Sequence, residues 1–152
     1  MEEMNRDLEK VADENKKKYK VKPETRLSES QDKAVVAQNL HNKLIVIQVM
    51  NYKKQGYTNI KVNHENYRQG QPAQISGYTP DLSADLKSDT MICEVETNES
   101  INDPDTVHKW REFDKSGCQF HLLIPLNAFD QVKDIAKSNG ITIDKYWCSK
   151  DY

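Results

Sequence analysis

Residues 77–82 read Gly-Tyr-Thr-Pro-Asp-Leu and residues 92–97 read Ile-Cys-Glu-Val-Glu-Thr, and these two stretches decide the fold. In the second stretch apolar and acidic residues alternate, as they do in a β-strand whose successive side chains point to opposite faces. The apolar residues are therefore expected to line a core. Glu94 and Glu96 are expected to project together from the other face.

The two stretches are predicted to pair. If residues 75–86 form a strand that turns at residues 87–89 and runs back antiparallel along residues 90–97, Asp81 lies opposite Glu94 and their side chains share a face. The backbones of neighbouring strands run about 4.8 Å apart. Carboxylates that project from two such strands on one face suit a hard divalent cation such as Mg²⁺. The alternative is that the acidic residues form the solvent-facing side of an ordinary antiparallel strand.

The acidic residues also belong to a longer pattern. The Pro80-Asp81 pair and the Glu94-Val95-Glu96 triplet resemble the motif of the PD-(D/E)xK, or restriction-endonuclease-like, nuclease superfamily. The resemblance covers residues 29 to 126, or 29 to 148 with the trailing elements.

The resemblance implies an α/β fold in which helices flank a mixed central sheet, with an αβββαβ core followed by a further helix and strand. It also implies that Asp81 and Glu94 are metal ligands and that the carbonyl of Val95 is a third. The expected cofactor is Mg²⁺ or Mn²⁺.

Glu96 stands where the family usually has lysine. Some restriction enzymes of the superfamily carry Glu-x-Glu and cut DNA, whereas many members with degraded motifs do not. Phosphodiester hydrolysis needs an activated water and stabilisation of charge on the phosphate, and a metal ion supplies both. Glu96 is a candidate general base or a ligand of a second cation, and clustered carboxylates should raise the pKa of at least one of them.

The composition indicates one domain. The chain has 152 residues, of which 36% are hydrophobic and 30% charged, and its net charge of −2 provides no global basic field. Since it has no apolar run of about 18 residues and an acidic, polar N-terminus, a cytoplasmic protein without a membrane segment is predicted. Three cysteines are predicted to be mostly buried thiols of a reducing compartment: Cys93, Cys118 and Cys148.

Residues 1–27 are predicted to form a charged helical or flexible extension, and residues 28–152 the nuclease-like domain. A serine cap and apolar spacing predict a helix over residues 28–52, although the β-branched run near its centre leaves a strand open. Relatives often carry an acidic residue on this first helix. His41 or Asn42 is the only polar substitute, and His41 is interpreted as a structural or surface residue.

The remaining elements follow from alternation, turn residues and helix caps. They are strands at residues 59–65, 74–86 and 90–97, a helix from Asp103-Pro104 to about Lys115, a strand at residues 118–126, a helix capped by Asn127 and ending at Ser138, and a strand at residues 141–148. On the helix after Pro104, Lys109 is the candidate that supplies the positive charge missing at Glu96. The alternative is a solvated surface lysine.

These patterns favour a metal-dependent nuclease that hydrolyses phosphodiester bonds. Its partner is nucleic acid, with DNA favoured, and no membrane; a homodimer or a partner protein is left open. One alternative is an inactive nuclease-fold domain that binds nucleic acid or a protein. Another is an unrelated α/β interaction domain whose acidic residues have no role.

Overall fold

A computed structural model of the protein describes residues 29–64, 67 and 70–150. Its main elements are helix α1 (Glu29–Lys54), strands β1 (Thr58–Val62), β2 (Leu82–Leu86) and β3 (Asp89–Val95), helix α2 (Pro104–Asp114), strand β4 (Gln119–Pro125), helix α3 (Phe129–Ser138) and strand β5 (Lys145–Ser149). Short 3-10 helices precede α2 at Ser100–Asn102 and α3 at Leu126–Ala128. The predicted extension at residues 1–27 lies outside the described residues.

The strands of the described ranges form one five-stranded sheet in the order β1-β2-β3-β4-β5. The pairs β1–β2 and β2–β3 are antiparallel, whereas the pairs β3–β4 and β4–β5 are parallel. The predicted α/β class, with a mixed central sheet flanked by helices, is therefore confirmed in this general form. β3 is the strand at which the antiparallel half joins the parallel half.

Two apolar layers cover the sheet. Helix α1 packs on one face through Leu44, Ile45, Val49 and Tyr52, which contact the inward side chains of the strands. Helices α2 and α3 cover the opposite face, where the buried side chains are Ile92, Ile101, Trp110, Phe113, Phe120, Leu122, Ile124, Ala128, Val132, Ala136 and Ile141. A sheet whose parallel strands are buried on both faces explains the nearly continuous apolar run of β4.

The register of the β2–β3 hairpin is the predicted one. Leu82 pairs with Cys93 and Leu86 with Asp89, so the two strands are joined by a two-residue turn. Asp81 immediately precedes β2 and therefore lies beside Glu94.

Several predicted boundaries are wrong. β1 ends at Val62 and not at residue 65, and only residues 82–86 of the predicted strand 74–86 are a strand. Before it, Ile75 and Tyr78 exchange both backbone hydrogen bonds across a tight turn in which Ser76 and Gly77 have φ of 50° and 85°. Two consecutive residues with positive φ reverse the chain, so a strand cannot pass through them.

The first predicted helix is confirmed as a helix, whereas the last one differs at its start. The β-branched centre of α1 is helical, because its buried side chains recur at the helical spacing of the face that packs on the sheet. Asn127 does not cap α3; it lies within the 3-10 helix, and Ala128 precedes α3 without a side-chain capping bond. The last strand also begins later than predicted, at Lys145.

The cysteines are more varied than predicted. Cys93 is buried, Cys118 half-buried and Cys148 exposed, and all three are free thiols. Within the described ranges no helix combines the length and the apolarity needed to cross a membrane.

Candidate functional site

The three acidic residues meet where β3 ends. Glu94 lies in β3, Glu96 directly follows it, and Asp81 precedes the neighbouring β2. Glu94 and Glu96 are only 2% and 1% exposed. The alternative that they form the solvent-facing side of a strand is therefore wrong, since helix α2 covers this face of the sheet.

Asp81 is fixed by its own backbone and by the neighbouring strands. Its N–H donates to Oε1 of Glu94 at 2.9 Å, and its Oδ2 accepts from the N–H of Val95 at 2.8 Å. On the other side the carbonyl of Asp81 accepts from the N–H of Asn63 at 2.9 Å. These contacts bring the predicted residues Asp81, Glu94 and Val95 together.

Lys109 reaches the same place from helix α2. The helix begins as predicted, with Asp103 accepting a hydrogen bond from the N–H of Asp105 and Pro104 at the first position. The Nζ atom of Lys109 lies 3.1 Å from Oε2 of Glu94 and 4.0 Å from Oε1 of Glu96. Lys109 is thus held among the acidic residues, contrary to the alternative of a solvated surface lysine.

Both carboxylate oxygens of Glu96 accept hydrogen bonds from the protein. The hydroxyl of Ser100 donates to Oε2 at 2.5 Å, and the indole N–H of Trp110 donates to Oε1 at 3.2 Å. Since both donors are protein groups, Glu96 has a fixed orientation towards Lys109.

His41 is the residue whose position sequence reasoning missed. Its Nε2 lies 3.3 Å from Oδ2 of Asp81, so it is not an unrelated surface histidine. We call the five charged side chains that meet here the cluster: His41, Asp81, Glu94, Glu96 and Lys109. Its partner Asp81 lies 40 residues away in the sequence, so no local pattern links the two positions.

The pKa values of Glu94 and Glu96 are shifted towards the neutral form. Burial, followed by the charge of Asp81, raises the pKa of Glu94 well above its ordinary value. Burial also raises the pKa of Glu96, although Lys109 and the hydrogen bond from Ser100 oppose this. Two of the three carboxyl groups are therefore costly to ionise in this environment.

The pKa shifts of Asp81, His41 and Lys109 favour the charged form of each group. Burial alone would raise the pKa of Asp81, but the charge and hydrogen bond of His41 outweigh it and the pKa is lowered. Burial alone would lower the pKa of His41, but Asp81 raises it to about 9. The pKa of Lys109 is also raised, because Glu94 and Glu96 outweigh its burial. Near neutral pH His41 and Lys109 are therefore charged.

The cluster has a buried floor and an accessible rim. The side chains of Lys109 and His41 are 27% and 25% exposed and that of Asp81 is 13% exposed, whereas Glu94 and Glu96 lie beneath them. A ligand arriving from solvent would therefore meet the two cationic groups first.

A hard divalent cation requires several oxygen ligands around one point. Within the described part of the chain, no group of three or more His, Cys, Asp or Glu side chains is arranged to hold a metal ion. The carboxylate oxygens of Asp81 and Glu94 accept hydrogen bonds from protein donors and pair with His41 and Lys109. The donor set of two carboxylates and a strand carbonyl still fits a hard divalent cation chemically, provided that Lys109 releases Glu94.

Comparisons with protein-family models, with curated proteins and with solved structures returned no match. The function of the protein must therefore be inferred from the geometry of the cluster.

Proposed function

We propose that the protein is a divalent-metal-dependent nuclease that hydrolyses phosphodiester bonds of nucleic acid, with DNA as the favoured substrate. The observation that carries this proposal is the meeting of Asp81, Glu94 and Lys109 at one end of β3. Two carboxylates with a neighbouring ammonium are the groups that bind a cation and a phosphate side by side. Their partial burial also strengthens the electrostatic interactions that such chemistry uses.

The fold supports the same proposal. A helix, three antiparallel strands, a helix and a strand follow one another, and a further helix and strand complete the sheet. This is the order that the restriction-endonuclease-like resemblance implies. Glu94 lies in β3, Glu96 directly follows it, and Asp81 precedes the neighbouring β2.

The metal ligands of the proposed site are Asp81, Glu94 and the carbonyl of Val95. In a strand the N–H and C=O of one residue point to the same side, so the N–H of Val95 that donates to Asp81 indicates the direction of its carbonyl. Bound Mg²⁺ or Mn²⁺ would supply charge stabilisation on the phosphate and lower the pKa of a coordinated water.

Lys109 takes the part of the lysine that the motif lacks at Glu96. Because it is partly exposed, its ammonium can contact a phosphate oxygen and orient the phosphodiester. Glu96 remains the candidate general base. Each oxygen of Glu96 already accepts one hydrogen bond, from Ser100 or from Trp110, and its second lone pair is the one that a water would use. In the present geometry Glu96 positions Lys109.

A second candidate function is an inactive nuclease-fold domain that binds nucleic acid or a protein partner. The specific observation in its favour is internal neutralisation, because Lys109 pairs with Glu94 and His41 with Asp81. A cluster that satisfies its own charges is stable without a metal ion.

The decisive experiment is a cleavage screen with plasmid and branched DNA in Mn²⁺ and in Mg²⁺. We expect the wild-type protein to cut and the Asp81→Asn and Glu94→Gln variants, which preserve side-chain size, to lose at least about a hundredfold in rate. Asp134→Asn, at an exposed position of α3, is the matched control and should cut like wild type.

The outcomes separate the two functions. Equal cutting by the wild type, Asp81→Asn and Glu94→Gln would assign the activity to a contaminant and reject the nuclease. Salt-dependent DNA binding without cutting in either metal would favour the inactive domain.

A further inference from the structure

We propose that Lys109 and the divalent cation compete for Glu94, and that a nucleic-acid phosphate resolves the competition by drawing Lys109 away, so that nucleic acid tightens metal binding. This inference rests on the proposed function and describes how the same site is regulated. The affinity for the cation is then low in the absence of nucleic acid, because Lys109 is paired with Glu94.

The competition follows from the positions of the atoms. Lys109 Nζ lies 3.1 Å from Glu94 Oε2, and the other oxygen of Glu94 accepts from the N–H of Asp81. A cation bound by Glu94 would therefore share this carboxylate with the ammonium of Lys109. Two positive groups at one carboxylate repel each other strongly at such distances.

The cluster also explains how the protein remains folded without a metal ion. Glu94 and Glu96 are buried next to Asp81, and three neighbouring carboxylates would be unstable without positive charge. Lys109 supplies this charge from α2, which is anchored by the Asp103 cap and by the burial of Trp110. It acts as an internal counter-ion in the place where the divalent cation is expected.

Phosphate provides the means of release. The side chain of Lys109 is 27% exposed, in contrast to Glu94, so its ammonium can turn outward while the carboxylate stays in place. A phosphate oxygen at the rim offers Lys109 a new charged partner. The vacated Glu94 oxygen then becomes available to the cation.

Such a device couples two ligands through one side chain. If nucleic acid raises the affinity for the cation, the cation must raise the affinity for nucleic acid by the same factor. Couplings of this kind are typically about 5-fold to 150-fold. Removal of Lys109 should remove the part of the coupling that it carries.

The first experiment measures Mn²⁺ binding in the absence of nucleic acid, by calorimetry and by the paramagnetic resonance signal of free Mn²⁺. Lys109→Met should bind Mn²⁺ about tenfold more tightly than wild type, because the competing ammonium is gone. Lys109→Arg keeps the charge and should not gain affinity. Lys115→Met makes the same change of net charge at the exposed end of α2 and is the matched control.

The second experiment repeats the Mn²⁺ titration with a short duplex of phosphorothioate DNA, which resists hydrolysis. The duplex should tighten Mn²⁺ binding about tenfold in wild type and clearly less in Lys109→Met. An equal effect of the duplex on both proteins overturns the inference, as does Lys109→Met binding no tighter than Lys115→Met. If no variant binds Mn²⁺ at all, the proposed nuclease fails together with the inference.

Discussion

Nζ of Lys109 and Oε2 of Glu94 are 3.1 Å apart, although the first atom belongs to helix α2 and the second to strand β3. The contact joins the two elements on the face of the sheet that α2 covers. It places a positive charge beside the acidic pair without using the strand position at Glu96. The charge arrangement of the site is therefore built from two elements rather than from one short motif.

Substitution of Glu94 by glutamine should separate stability from function. Glutamine keeps an oxygen for the N–H of Asp81 and removes a buried charge whose pKa is raised by burial and by Asp81. The loss of the Lys109 ion pair and the removal of a buried charge act in opposite directions, so we expect the free energy of unfolding at pH 7 to change by less than about 1 kcal/mol while Mn²⁺ binding is lost. Urea unfolding and calorimetry test this. Glu94→Ala, which leaves that N–H without its acceptor, should cost about 1–3 kcal/mol, and equal costs for both variants would contradict the explanation.

The His41–Asp81 pair should give a defined dependence of stability on pH. The pKa of His41 is raised to about 9 by Asp81 against the effect of burial, so its contribution is complete below about pH 6.5 and is lost as pH rises through about 9. The lowered pKa of Asp81 sets the acid limit, because its contribution is lost as pH falls below about 3.9. His41→Asn should be less stable than wild type by about 2–3 kcal/mol near pH 6, with the difference vanishing above about pH 10.

Urea unfolding of His41→Asn and wild type across this range provides the measurement. The control is His108→Asn, which changes an exposed histidine on α2. A stability difference that stays constant through about pH 9 would mean that the pair does not act through the charge of His41.

Removal of the indole donor to Glu96 should be costly. Trp110→Phe preserves most of the buried ring but deletes the N–H that donates to Glu96 Oε1 at 3.2 Å. Because the acceptor is a buried carboxylate, we expect thermal or urea unfolding to show a loss of about 1–3 kcal/mol. Trp147→Phe is the comparison, since its indole donates to the imidazole of His121. The prediction fails if the two substitutions cost the same.

His121 should remain neutral well below its ordinary pKa. Burial and the charge of Lys145 lower its pKa to about 4, and its Nδ1 accepts from the hydroxyl of Tyr52 at 2.8 Å. A lowered histidine pKa stabilises the fold above about pH 6.5, and this contribution is lost as pH falls towards 4. Ring proton resonances followed by NMR should show no titration of His121 near pH 6.5. An ordinary midpoint there would show that the buried hydrogen bonds do not hold the neutral form.

The hairpin and its register were predictable because they depend on local alternation. Every second residue of β3 had to face the same layer, and this fixed Asp81 beside Glu94 once the turn was located at residues 87–89. The start of helix α2 was equally predictable, since Asp103 and Pro104 are local signals for the start of a helix. Lys109 was identified as a candidate from chemistry, although its contact with Glu94 depends on how α2 packs.

The burial of Glu94 and Glu96 was not predictable from the same alternation. A polar residue at every second position is the pattern of a solvated sheet face. Helix α2, with Trp110, packs over this face and buries both carboxylates, and the alternation of residues does not indicate this packing. His41 was missed for a similar reason, because its partner is distant in sequence and the helix it occupies gives no sign of which residue meets Asp81. Long-range packing decided both cases.

The buried carboxylate of Glu94 places two selective pressures in opposition. Its charge is unfavourable where it lies, and a neutral amide of the same shape would be easier to accommodate. A library of variants screened only for heat resistance should therefore tolerate glutamine at Glu94, whereas a library screened for the proposed cleavage should retain the acid. The identity of this one side chain would report which pressure a population had experienced.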